Sequence, residues 1–205
     1  MASKERIQRL KDDTRCNILS ASLDIVKEEG WPALSMRKIA DKIEYTAPII
    51  YEYFSNKEAI LQELTRMGYV KLAKQMEEAN SKLSDPAEQL EAMWLAYWSF
   101  AFENKELYKV MYGVEVNCCA FENVCEVLKA PANMLREKIK EVVPADKKED
   151  KKYIDTKFYT LWSVVHGLIS INLTRQGASE EMNRQVLKDT ITSIINAIKD
   201  QAVPA

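Results

Sequence analysis

Apolar residues recur at helical spacing along nearly the whole of this chain. In the first segment Ile18, Ile25 and Val26 fall on one face, at positions i, i+7 and i+8. Gly30 stands where a helix commonly ends, and Pro32 cannot continue one. No stretch alternates apolar and polar residues between hairpin turns, and there are only five glycines. The pattern predicts an all-α protein of about nine helices.

Capping residues divide the N-terminal third of the chain into short helices. Ser35 precedes a second helix, expected at about Met36–Lys42, and Thr46 precedes a third. The run Ser55-Asn56-Lys57-Glu58 has the spacing of a capping box and predicts a fourth, longer helix that ends near Asn80. Three helices in quick succession are therefore expected before the first long one.

The third helix is too short to be stable alone, so it must pack on its neighbours. Ile50 and Phe54 lie four residues apart and predict a face that packs on Ile39 and the residues around it. Pro48 and Ile49 lie on the opposite side. Two short helices with one face buried and one exposed form a helix-turn-helix, whose exposed face enters the major groove of DNA.

Residues 14–64 carry four motifs in order: ILSASLDIVKEEG, LSMRKIADKI, IIYEYF and SNKEAIL. With this spacing they resemble the DNA-binding domain of the TetR family of repressors. Glu44 departs from the family, which usually has glycine in this turn, and a positive φ there would cost Glu about 1 kcal/mol. The resemblance implies a DNA-binding domain over residues 1–60, with a basic N-terminal arm, and an effector-binding and dimerisation domain over residues 61–205.

The resemblance and the predicted helix faces together indicate which residues contact DNA. Ser35 and Lys57 resemble phosphate contacts at helix starts, and Arg37 resembles a base or phosphate contact. Ala47, Pro48 and Ile49, nearest the bases, would contact thymine methyl groups; Tyr51 and Tyr53 either donate to phosphates or pack against the fourth helix. The predicted DNA-binding residues are Ser35, Arg37, Thr46, Ala47, Pro48, Ile49, Tyr51, Tyr53 and Lys57.

The N-terminal arm has two interpretations. Its basic side chains either contact phosphates or form a solvated helix start, because Glu5, Asp12 and Asp13 dilute the charge. The basic residues of the arm are Lys4, Arg6, Arg9, Lys11 and Arg15.

The remaining two thirds of the chain predict five more helices. Asp85 is a cap, and the helices are expected at 86–104, 106–113, 121–143 with a kink at Pro131, 151–175 and 180–200. Aromatic residues are dense here, and they either fill a core or line a pocket. The TetR resemblance implies an effector pocket in this region. Its predicted lining is Trp94, Tyr97, Trp98, Tyr108, Met111, Tyr112, Met134, Phe158, Trp162 and His166.

The last two helices predict the dimer interface. The segment FYTLWSVVHGLISINL is apolar on every side, which indicates a helix with one face on its own subunit and another on a partner. In the final helix, apolar residues recur at the 4, 3, 4 spacing of a helix-bundle seam. The predicted interface residues are Leu161, Leu168, Leu187, Ile191, Ile194 and Ile198.

Trp162, His166 and Gly167 also resemble the Trp…His-Gly signature of one TetR C-terminal subclass. His166 either contacts the effector or serves as a hydrogen-bonded structural histidine.

Composition narrows the class of protein. The formal net charge is −2, so any DNA contact must come from a local basic patch. No signal peptide or membrane-spanning run is present, and a cytoplasmic protein is expected. A single histidine leaves little for a metal site, and neither metal nor cofactor is expected. Cys118, Cys119 and Cys125 are either small buried residues or a thiol sensor.

These observations predict a homodimeric transcriptional regulator, a repressor released from a pseudo-palindromic DNA operator by a small apolar or aromatic effector. An all-α enzyme or a helical adaptor that uses the aromatic pocket are the alternatives. The enzyme is disfavoured because paired carboxylates and a glycine-rich phosphate loop are missing. No catalytic residue is predicted.

Overall fold

The computed structural model describes residues 2–112, 126–174 and 177–200. Over these residues the chain forms nine α-helices and no strand, which confirms the predicted fold class. Cys118, Cys119 and Cys125, and the start predicted for the 121–143 helix, lie outside the described residues. The helices are α1 (Ala2–Glu29), α2 (Met36–Lys42), α3 (Ala47–Tyr53), α4 (Lys57–Asn80), α5 (Pro86–Glu103), α6 (Lys105–Met111), α7 (Glu126–Val142), α8 (Lys151–Thr174) and α9 (Glu180–Asp200).

The chain divides into two compact units. The first comprises residues 1–68 and 106–124, and the second comprises residues 69–105 and 125–205. The first unit extends past the predicted boundary at residue 60 because Leu61 and Leu64 of α4 share one core with α1, α2 and α3. Leu107 and Val110 of α6 belong to the same core. The helix-turn-helix is therefore stabilised by residues more than forty positions further along the chain.

In the second unit α5 packs against α7, α8 and α9, and α8 packs against both α7 and α9. Pro131 lies within α7, as the sequence predicted. None of the described helices combines the length and apolarity needed to cross a membrane.

Two of the predicted capping residues form the expected hydrogen bonds at helix N-termini. Ser35 Oγ accepts a hydrogen bond from the Lys38 amide at 3.2 Å, which confirms Ser35 as the cap of α2. Asp85 Oδ1 accepts from two amides at the start of α5, at 2.9 and 3.0 Å, and the bond from the Glu88 amide is the largest cause of a lowered Asp85 pKa. The prediction of a capping box beginning at Ser55 is wrong, because α4 begins at Lys57 and the residue before it is Asn56.

Asn56 takes the role predicted for Ser55, because its side-chain oxygen accepts from the Ala59 amide at 2.8 Å. Thr46 occupies the cap position of α3, but its side chain makes no capping hydrogen bond.

The turn between α2 and α3 has a left-handed residue at its centre. Glu44 has φ 58°, and it is the one non-glycine with positive φ in the described ranges. Around it the Tyr45 amide donates to the Ala40 carbonyl at 2.9 Å and the Glu44 amide to the Asp41 carbonyl at 3.4 Å. These bonds form a Schellman motif, in which glycine is the preferred left-handed residue. The departure from the family's glycine therefore leaves strain in the turn.

Glu44→Gly is expected to stabilise the protein by about 1 kcal/mol, because glycine adopts positive φ without a Cβ clash. Urea unfolding monitored by circular dichroism would measure the change. Glu44→Ala is the matched control: it removes the same charge but keeps the Cβ, so it should give no such gain. Equal stabilisation by Ala and Gly would assign the effect to charge instead of backbone strain.

The predicted dimer seam needs correction. Leu161, Leu187, Ile191 and Ile198 are at most 1% exposed in the single chain. Their side chains are already covered by their own subunit, so they cannot form the surface offered to a second one. Leu168, like Ile194, is only half-buried and keeps part of its surface accessible.

Candidate nucleic-acid interface and ligand site

The two faces of α3 differ as predicted. Ile50 and Phe54 are 0% and 3% exposed and lie in the core of the first unit. Pro48 is exposed, and Tyr51 keeps 54% of its surface accessible. One face of α3 is therefore buried and the other faces outward. The outward face carries apolar surface from the proline and a phenolic O–H donor from the tyrosine.

Three of the residues predicted to contact DNA are less accessible than expected. Ala47 and Tyr53 are half-buried and pack against the core, and Ile49 is half-buried. Their contribution to an outward surface is therefore smaller than that of Pro48 and Tyr51. Tyr45, which is 42% exposed in the turn before α3, was not among the predicted contacts. Its position directly before the Thr46 cap was the available signal.

The cations of α2 are not equivalent. Lys38 is paired with Glu29 at 2.5 Å, and Lys42 is paired with Glu28 at 3.0 Å. Arg37 is exposed and forms no ion pair with any residue in the described ranges. A guanidinium that is not already engaged retains its full capacity for bidentate contacts with phosphate or guanine.

Arg15 does not belong with the basic arm. Its guanidinium lies 4.4 Å from the centre of the Phe54 ring and 3.4 Å from a Glu63 carboxylate oxygen, and it donates to the Tyr53 carbonyl at 3.5 Å. Arg66 and, to a smaller extent, Arg15 hold the Glu63 pKa below its usual range. Arg15 therefore fastens the end of α3 to α1 and α4. Basic residues nearer the N-terminus are exposed on the first turns of α1.

Lys57 is partly engaged within the chain. Its ammonium donates to the Trp31 carbonyl at 2.8 Å, which ties the start of α4 to the short 3-10 helix at Trp31–Ala33. An ammonium has three N–H donors, so two remain for another acceptor. Lys57 thus combines a structural bond with residual capacity for a phosphate.

Five of the predicted ligand residues form one aromatic cluster in the second unit. The Trp94 ring centre lies 5.8 Å from that of Tyr97 and 6.2 Å from that of Phe158. Trp162 stacks on His166 with ring centres 4.8 Å apart, and the Tyr97 hydroxyl lies 3.4 Å from His166 Nδ1. Burial lowers the His166 pKa, so the imidazole is favoured in its neutral form. The cluster is apolar in bulk and carries a few polar atoms.

The other predicted ligand residues lie elsewhere. Trp98, whose ring centre is 4.6 Å from that of Phe102, lines a separate cavity of about 450 Å³ bounded by α5, the C-terminal end of α8 and the start of α9. Met134 is half-buried on α7. The remaining three belong to the first unit, with Tyr108 and Met111 buried and Tyr112 half-buried on or just after α6.

Arg136 also contacts this aromatic cluster, although it was not predicted as a ligand residue. Arg136 of α7 places its guanidinium 4.0 Å from the centre of the Phe158 ring and pairs with Asp155 at 2.7 Å. Its signal is weak in a sequence, because an arginine on an amphipathic helix is usually a solvated residue.

Two family models of bacterial regulators match segments of this chain. Residues 18–64 match the family model of bacterial regulatory proteins, tetR family, and residues 90–193 match the tetracyclin repressor-like C-terminal domain. An uncharacterized HTH-type transcriptional regulator of Haemophilus influenzae is 27% identical over 123 residues, 60% of this chain and 65% of that protein. The chain thus spans less than two thirds of that relative's length.

Solved structures share the fold. A protein with unknown function from Rhodococcus sp. RHA1 has a TM-score of 0.75 at 20% identity, over 90% of this chain and 95% of its own. The TetR family transcriptional regulator PfmR from Thermus thermophilus has a TM-score of 0.65 at 19% identity, over 87% of this chain and 97% of its own. With the two family matches, this shared fold shows that the chain belongs to the TetR family of bacterial regulatory proteins.

Proposed function

We propose that this protein is a cytoplasmic repressor that binds a pseudo-palindromic DNA operator as a homodimer and leaves it when a small apolar or aromatic effector binds. The exposed face of α3, together with an exposed Arg37 on α2 that forms no ion pair among the described residues, is the observation that carries the proposal. The family relationship supports it, because the TetR model that matches this chain describes regulatory proteins. The same relationship favours a regulator over an enzyme or an adaptor.

DNA would be held by two kinds of contact. Phosphates would be bound by the N-terminal ends of α2 and α4, through Ser35, Lys57 and backbone amides of those first turns. Base edges would be met by Pro48 and Tyr51 on α3, with Arg37 reaching a base or a phosphate. Because Pro48 reads bases only by apolar contact, DNA shape should supply part of the specificity.

The dimer would use outer faces of α8 and α9. Ile171 of α8 is 55% exposed one turn from Leu168, and Met182 and Val186 of α9 are 58% and 44% exposed. Added to the half-buried Leu168 and Ile194, they leave more apolar surface on these two helices than isolated exposed residues would. A second copy of the chain would cover this apolar surface. The two-fold symmetry of the dimer would then present two identical α3 helices to the operator.

The effector would bind in the aromatic cluster around Trp94 and His166. Residues 57–68 of α4 belong to the first unit and residues 69–80 to the second, within one continuous helix. The chain passes between the units again after Lys105, directly into α6, whose Leu107 and Val110 lie in the helix-turn-helix core. An effector that favours one dimer geometry would therefore oppose operator binding, reciprocally, by about 1–3 kcal/mol.

Arg37→Ala tests the DNA-binding surface. We expect operator affinity to fall by about 1–3 kcal/mol, because the substitution removes a guanidinium that no ion-pair partner in the described ranges holds away from DNA. If Arg37 contacts a phosphate, the slope of log K against log salt should also decrease by about one unit. Fluorescence anisotropy of labelled duplex across a salt series would measure both.

Lys42→Ala is the matched control for Arg37, since it removes a cation of the same helix that is already paired with Glu28. Its effect on affinity should be small. Equal effects of the two substitutions, or none from Arg37→Ala, would move the DNA-binding surface away from the start of α2.

A further inference from the structure

The indole N–H of Trp94 is a buried donor with no acceptor among the residues that the structure describes. Trp94 is 0% exposed, and its Nε1 has no hydrogen-bond partner anywhere in the described part of the chain. Leaving such a group unpaired costs about 1–3 kcal/mol. Buried polar atoms are nearly always satisfied in folded proteins, so an unsatisfied one marks a place where a bound molecule can supply the partner.

The surroundings of Trp94 indicate what kind of partner fits. Its neighbours Tyr97 and Phe158 are aromatic, and both are at least 95% buried. A flat apolar molecule would find ring faces and edges here, which favour stacked or edge-to-face packing. The indole N–H can only donate, so the molecule must supply an acceptor.

Charge in the cluster disfavours an ionised ligand. The imidazole of His166, next to the Tyr97 hydroxyl, is favoured in its neutral form by burial. Among the described residues, the cation that lies against these rings is that of Arg136, which is already paired with Asp155 at 2.7 Å. A carboxylate placed beside Trp94 would thus be buried with no free counter-charge from the described part of the chain, which is costly.

We propose that the Trp94 indole N–H is the hydrogen-bond donor of the effector site, and that the site takes an uncharged, flat, apolar molecule bearing one carbonyl acceptor. This assignment rests on the proposed placement of the effector in the aromatic cluster. It adds the ligand's chemical class and the atom that recognises it.

Three naphthalenes of similar size test the assignment. 2-Acetylnaphthalene carries a neutral carbonyl, 2-isopropenylnaphthalene replaces that oxygen with a methylene group, and 2-naphthoate carries a charge. Isothermal titration calorimetry should show the ketone binding about five- to tenfold more tightly than the alkene, the difference expected of one hydrogen bond. The naphthoate should bind most weakly. In Trp94→Phe the difference between ketone and alkene should vanish.

Trp98→Phe is the matched control, because Trp98 is on the same helix but lines the separate cavity. It should preserve the preference for the ketone. A second measurement uses the unaltered protein and therefore does not depend on whether Trp94→Phe folds. In its NMR spectrum the indole N–H resonance assigned to Trp94 should move downfield with the ketone and not with the alkene.

The outcomes separate two failures. If ketone and alkene bind equally to the unaltered protein, or the preference survives Trp94→Phe, the donor role of Trp94 is overturned while the effector site stands. If none of the three binds although operator binding is intact, the cluster is not a site for flat apolar ligands and the assignment fails with it. DNA binding would remain unaffected in both cases.

Discussion

Ile171→Glu is expected to convert the dimer into a monomer and to reduce operator affinity by at least about a hundredfold. Ile171 is 55% exposed on α8, near the half-buried Leu168, so the substitution leaves the core of the single chain untouched. In a two-fold interface the new carboxylate would be buried in apolar surroundings without a partner, a change that costs about 3–5 kcal/mol for a buried unpaired charge. A monomer would hold only one half-site.

Analytical ultracentrifugation and duplex binding would measure both consequences of Ile171→Glu. Its control is Ile191→Glu, which places the same charge at a residue that is 0% exposed in the single chain. That variant should lose folded structure altogether, whereas Ile171→Glu should keep its helical circular dichroism. A folded Ile171→Glu protein that still sediments as a dimer would place the interface on other residues.

Phe54→Ala is expected to destabilise the first unit by about 3–5 kcal/mol, the usual cost of removing a buried aromatic ring. Phe54 is 3% exposed, and its ring also lies 4.4 Å beneath the Arg15 guanidinium. Since proteins of this size are stable by only about 5–15 kcal/mol, the loss should suffice to abolish DNA binding near physiological temperature. Urea unfolding and duplex binding, measured on the same preparation, would test it.

Tyr51→Ala provides the comparison from the same helix. Tyr51 is 54% exposed, so its removal should change stability by no more than about 0.5 kcal/mol. It should nevertheless weaken operator binding, because the phenolic O–H and ring would lie against DNA. If Tyr51→Ala were as destabilising as Phe54→Ala, α3 would not have the separate buried and outward faces described above.

Local patterns accounted for most of the N-terminal unit. Ser35 was recognisable as a cap from sequence, as was Asp85 in the second unit, because capping depends on residues within one turn. The opposite faces of α3 followed from the four-residue spacing of Ile50 and Phe54. Even the positive φ of Glu44 could be anticipated, since the resemblance placed a glycine position there.

Features that depend on three-dimensional packing could not be predicted in this way. The stripe from Leu187 to Ile198 has bundle spacing, but spacing does not tell whether a stripe faces its own subunit or a partner. Nothing in the local sequence distinguishes Arg15 from the residues of the basic arm. Its partners Tyr53 and Glu63 are about forty positions further along the chain, so only the folded structure reveals its role. For the same reason Trp98 could not be separated from Trp94, which lies one turn away on α5 but belongs to different surroundings.

The most direct test of the proposed function is selection of duplexes from a random DNA library by the purified protein at low salt. Enriched duplexes should contain an inverted repeat, with half-sites about one helical turn apart or a multiple of that distance. Affinity for the selected site should fall steeply as salt is raised. Retention of no duplex at low salt, or enrichment of sites without inverted symmetry, would contradict the assignment of this chain as a dimeric operator-binding regulator.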